Sequence, residues 1–161
     1  MRQSDFLMTP ERRDNLMSVY RDGLLHDVLP FLTKHGWDRE QGGMLTGLTR
    51  DGSLIDDDKS VWFQGRAAWT FATAYRLAEP REEWRDVALS CAEFLRKHAY
   101  GPDGKMYFTL TREGQPLRMR RYVFSESFAA IGLAACSKIT DDASLATDAW
   151  RAWDTYLHHS F

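Results

Sequence analysis

The chain repeats itself at a fixed spacing. Residues 44–54 read MLTGLTRDGSL, and sixty-two positions on, residues 106–117 read MYFTLTREGQPL around the same Thr-Arg-acid-Gly turn. The register continues into the next segment, because Val61-Trp62-Phe63-Gln64-Gly65-Arg66-Ala67-Ala68 stands at the same offset from Val123-Phe124-Ser125-Glu126-Ser127-Phe128-Ala129-Ala130. Self-similarity of this period marks an architecture built from stacked supersecondary units. One unit cannot bury its apolar face alone, and about three are normally needed for stability. A chain holding about two and a half units therefore reads as part of a longer protein, with residues 1–161 belonging to one domain.

The content of the unit is set by hydrophobic periodicity. From Glu11 to Lys34 the apolar residues Leu16, Val19, Tyr20, Leu24, Val28, Phe31 and Leu32 form a one-sided stripe, which predicts a helix with one wet face, kinked or ended at Pro30. Ser60 to Ala78 is apolar nearly all round, as a buried helix is. Glu83 to His98 is amphipathic, Ser125 to Ser137 is again apolar on every side, and Asp142 to His158 returns to the amphipathic kind. Before each all-round apolar helix comes a short alternating stretch with Asp-Gly or Glu-Gly at its centre, the signature of a hairpin. The unit is hairpin, inner helix, outer helix. About six such units would close an inner ring of helices inside an outer one. The expected fold is all-α, part of an (α/α)6 barrel with short β-hairpins preceding the inner helices.

Composition narrows the function. A net charge of −2 with intermixed signs gives no footprint for nucleic acid. No apolar run is long enough to span a bilayer and the N-terminus lacks an apolar signal core, so a cytoplasmic protein without membrane partners is expected. Cys91 and Cys136 sit among apolar helical residues and read as structural thiols. The five histidines show neither i, i+4 spacing nor clustering with cysteine, so no metal site is expected. Gly42-Gly43 and Gly101-Pro102-Asp103-Gly104 lead into strands and read as turns, not phosphate loops.

Several motifs in one order, Trp37-Asp38-Arg39-Glu40-Gln41-Gly42-Gly43, Arg50-Asp51-Gly52, Lys59-Ser60-Val61-Trp62-Phe63-Gln64-Gly65-Arg66, Leu110-Thr111-Arg112-Glu113-Gly114 and Val123-Phe124-Ser125-Glu126-Ser127-Phe128, resemble the N-terminal part of the N-acylglucosamine 2-epimerase family, whose mammalian member is also called renin-binding protein. The resemblance covers residues 10–160. It implies an (α/α)6 barrel that interconverts N-acyl-D-glucosamine and N-acyl-D-mannosamine by proton transfer at C2 of the open-chain sugar. It also implies histidines as acid and base, which match nothing before Phe161, so no catalytic residue is assigned here. Relatives that epimerise cellobiose or isomerise mannose give the alternative substrates. A non-catalytic half-barrel that binds a sugar or a protein, or pairs as a homodimer, is the reading from another class. No cofactor is implied for the chemistry. The family's nucleotide effector finds no locatable site in this sequence.

Arg66 is the leading candidate for substrate binding, because a guanidinium on an apolar helix needs a partner or a wet cavity. The resemblance gives it sugar oxygens, or the charge that develops on proton removal. The structural alternative is an ion pair with Asp57, Asp58 or Glu126. Glu126 and its repeat equivalent Gln64 are expected at one rim, near inner-helix N-termini, as further substrate-binding residues; Glu126 would meet a sugar hydroxyl or orient Arg66, the alternative being a carboxylate that gains only from the helix dipole. Trp62 and Phe124 are likewise equivalent, as sugar-stacking rings or as core. Where the family usually carries Tyr and Cys this chain has Ser60 and Ser127, a departure that bears on substrate more than on fold.

Overall fold

The computed structural model describes residues 8–119 and 123–160. Its helices alternate as the hydrophobic pattern requires. Pro10–Gly23 (α1) is capped by the Thr9 hydroxyl, which accepts from the Arg12 N–H, and has Pro10 at its first position. It runs through a π-helical turn, Leu24–Val28, into Leu29–His35 (α2). Sequence periodicity places a kink or an end at Pro30. The wide turn instead precedes the proline, with the Leu29 N–H reaching the Leu24 carbonyl, so the chain absorbs the ring's bulk upstream and stays helical. The predicted stripe on α1 is not buried: Val19 and Tyr20 are 60% and 71% exposed, and no residue of α1 is fully buried.

The first hairpin pairs Gly47–Leu48 (β1) with Leu54–Asp56 (β2). Lys59–Ser60 (β3) leads directly into the inner helix Val61–Leu77 (α3), and Glu82–His98 (α4) returns as the outer helix. The second unit repeats the plan with Thr109–Leu110 (β4), Pro116–Arg118 (β5), the inner helix Phe124–Cys136 (α5) and the outer helix Ser144–Ser160 (α6). The sequence pattern gives no hint that β4 also pairs with β3, placing Ser60 opposite Thr109 and building a three-stranded sheet across two units.

Inner helix α3 packs chiefly on inner helix α5, then on α4, while α5 packs on α6. Gly65 and Gly132 set the approach of the inner pair. A Cβ on Gly65 would strike the Phe128 carbonyl, and one on Gly132 would lie 2.5 Å from the Gly65 oxygen. Between the layers lie Phe71, Trp84, Cys91, Leu95, Leu133 and Cys136. Both cysteines are buried as expected, and burial pushes the Cys136 thiol up to about 12, which suits a packing role. The two hairpin glycines, Gly52 and Gly114, have φ of 87° and 91°. Each also lies under an imidazole, His35 and His98 respectively, whose ring atoms fill the space a Cβ would need. Those rings lean on Phe31 and Phe94 in tilted contacts, with ring centres 5.0 and 4.9 Å apart. Two of the five histidines are thus turn-packing elements repeated from unit to unit.

Candidate functional site

The Lys59-to-Arg66 segment organises the surroundings of the inner-helix N-termini. Lys59 is fully buried and its ammonium donates three times: to Asp38 Oδ2 at 2.9 Å, the Gly42 carbonyl at 2.6 Å and the Arg112 carbonyl at 2.8 Å. Arg112, from the second hairpin, grips the same carboxylate through both oxygens at 2.8 and 2.9 Å and also reaches Glu40 at 2.8 Å. Burial alone would raise the Asp38 pKa, but the hydrogen bonds from Arg112 and Lys59 outweigh it and hold the group far below the ordinary carboxylate value. Burial draws the Lys59 ammonium below the usual lysine range, against the pull of Asp38. The cluster ties the loop of the first unit to the hairpin of the second, and with it the start of α3. Sequence reasoning misses it, because its members are 21 and 74 positions apart.

Gln64 and Glu126 occupy equivalent places, and both are buried. Gln64 clamps the backbone of Met44: its Oε1 accepts from the Met44 N–H at 2.7 Å and its Nε2 donates to the Met44 carbonyl at 2.8 Å. Glu126 repeats the first bond, accepting from the Met106 N–H at 2.7 Å. Its second oxygen finds no hydrogen-bond partner among the described residues. These side chains therefore hold the loops that frame the site, and neither opens onto its surface. A Glu126→Gln variant regains the donor that Gln64 uses, and should raise stability by about 1 kcal/mol in a thermal melt.

Arg66, Trp62 and Phe124 are placed differently. Phe124 is 59% exposed at the first position of α5, which answers the alternative that it is core. Trp62 is half-buried; its ring meets Phe128 edge-on at 5.4 Å and Phe108 at 6.4 Å. The Arg66 guanidinium, exposed, lies 5.3 Å from the Trp62 ring centre and 5.4 Å from that of Phe128. Among the described residues no acid pairs with it. The expected alternative partners lie elsewhere: Glu126 accepts from Met106, while the carboxylates of Asp57 and Asp58 sit with that of Asp56, all within 4.8 Å of one another. Phe108 and Phe128 are wall residues that sequence reasoning misses, although the alternation of the second hairpin and the helical spacing of Phe124 and Phe128 point to them. The open face continues along the inner pair as a groove of about 350 Å³ lined by Trp69, Thr73 and Arg76 of α3 with Ile131 of α5 and Lys138 just beyond its end.

An open wall of rings holding a guanidinium with no acid partner among the described residues can bind a polar, flat-faced ligand and stabilise negative charge that builds on one of its oxygens. The profile of the family described as N-acylglucosamine 2-epimerase (GlcNAc 2-epimerase) matches residues 42–160. The N-acylglucosamine 2-epimerase of Bos taurus is 34% identical over 151 residues, covering 89% of this chain and 36% of that protein. That of Mus musculus is 37% identical, covering 83% and 33%. A solved cellobiose 2-epimerase from Spirochaeta thermophila superposes with a TM-score of 0.78 at 25% identity, over 91% of this chain and 37% of the other. The chain thus spans about a third of the length of the curated relatives it matches. No helix among the described residues is long and apolar enough to cross a membrane.

Proposed function

Because the chain belongs to the N-acylglucosamine 2-epimerase family, we propose that it forms the N-terminal part of a cytoplasmic sugar epimerase that interconverts N-acyl-D-glucosamine and N-acyl-D-mannosamine. The reaction removes the proton at C2 of the open-chain sugar and returns one to the opposite face. Between those steps negative charge gathers on the C1 oxygen. An acid/base pair with pKa near neutrality has to flank C2, and in this reading histidines beyond Phe161 supply it. No cofactor is called on. The contribution of residues 1–161 is the wall and the charge acceptor: Trp62 and Phe124 pack on the sugar, Arg66 donates to the C1 oxygen, and Gln64 and Glu126 hold the framing loops. The observation that carries the reading is Arg66, a guanidinium set between two rings on an open face without an acid partner among the described residues. In the natural full-length protein, Arg66→Ala should lower kcat for N-acetylmannosamine by about 100-fold, with Arg66→Lys intermediate because it keeps the charge and loses the fork. Full activity in Arg66→Ala would overturn the assignment.

A second reading keeps the chemistry and changes the sugar to cellobiose, favoured by the likeness to the solved cellobiose 2-epimerase. Turnover of cellobiose in preference to N-acetylmannosamine would select it. Association as a homodimer, with no nucleic-acid partner, completes the proposal.

A further inference from the structure

The hairpin beside this site carries a second cation over the same wall. Arg118, the last residue of β5, is exposed, and its guanidinium lies 6.0 Å from the Phe108 ring centre. The Phe108 ring in turn neighbours Trp62, which neighbours Arg66. Backbone pairing fixes this order: the Val61 N–H donates to the Phe108 carbonyl at 3.0 Å and the Phe108 N–H to the Arg118 carbonyl at 2.8 Å. The hairpin is thereby locked to the first turn of α3. Neither arginine has an acid partner among the described residues. Each presents up to five donors beside rings that leave them to a ligand.

An open-chain N-acyl amino sugar has two carbonyl oxygens on adjacent substituents, one at C1 and one on the acyl group at C2. Mannose and cellobiose offer a hydroxyl at C2 instead. Resting on the epimerase reading, we propose that Arg118 is the specificity determinant for N-acyl sugars, donating to the acyl oxygen while Arg66 takes the oxygen at C1.

The test is calorimetric binding of N-acetylmannosamine and of mannose to the natural full-length protein, its Arg118→Leu and Arg118→Lys variants, with turnover of N-acetylmannosamine measured alongside. Arg118→Leu should weaken N-acetylmannosamine binding by about 10- to 100-fold and leave mannose within about twofold, with Arg118→Lys between. The loss should fall on KM more than on kcat, and the melting temperature should not move. Equal losses for both sugars, or none for N-acetylmannosamine, overturn the specificity role while leaving the epimerase reading intact. A wild type that neither binds nor turns over any of these sugars overturns both.

Discussion

Replacing Asp38 with alanine is expected to cost about 3–5 kcal/mol of folding stability, read as a loss of denaturant midpoint at unchanged slope. The reason is what remains behind. Lys59 is wholly buried, and without its carboxylate the ammonium keeps only two carbonyls for a full positive charge, with the Arg112 guanidinium next to it. Arg112 loses its bidentate partner at the same time and retains Glu40, whose carboxylate is largely exposed. The pH dependence is set by the depressed Asp38 pKa. A lowered carboxylate contributes its stability in full above the ordinary value of about 4 and loses it only as pH falls through the native value. Wild-type and Asp38→Ala curves should therefore run parallel from about pH 5 to 8 and converge only in strong acid. Convergence already near pH 6 would show that the cluster is not a charged, buried assembly.

Gly65→Ala should be the second severe change, destabilising by about 3 kcal/mol, at the upper end of overpacking costs. The added methyl meets backbone: the Phe128 carbonyl on α5, a helix that cannot yield as a side-chain tip would. The inner pair would have to separate where Gly132 offers its own backbone to Gly65. Since Gln64 and Arg66 flank this contact, the clamp on Met44 and the position of the guanidinium should shift with it. Gly23→Ala is the matched control, because a Cβ there meets nothing within 4 Å. It should stabilise by about 0.5–1 kcal/mol through helix propensity alone. Similar melting temperatures for the two variants would contradict the close helix contact.

Much of this architecture is legible in the sequence because the repeat acts twice. Met44 and Met106 anchor equivalent hairpins, and the same Thr-Arg-acid-Gly run yields the same turn, the Thr49 and Thr111 N–H groups reaching the Ser53 and Gln115 carbonyls. Inner and outer helices separate cleanly because burial on all sides and burial on one side leave different periodicities. The equivalence of Gln64 and Glu126 is also visible. Their direction is not: offset places residues along the chain, whereas the rotation of a helix about its axis, set by where it begins, decides whether a side chain faces its own loop or the open wall. Lys59 looks like any charged strand residue, since a lysine's burial depends on partners brought in from distant loops. Periodicity identifies the apolar stripe of α1 but not its exposure, because coverage is a property of whichever element packs there.

The most direct test of sugar epimerisation is solvent isotope exchange. The natural full-length protein, incubated with N-acetylmannosamine in deuterium oxide, should yield N-acetylglucosamine carrying one deuterium, at C2 alone, and Arg66→Ala should slow incorporation and epimerisation by the same factor of about 100. Epimer formed without deuterium at C2, or no exchange and no epimer from this sugar, would contradict proton transfer at that carbon as the work this fold supports.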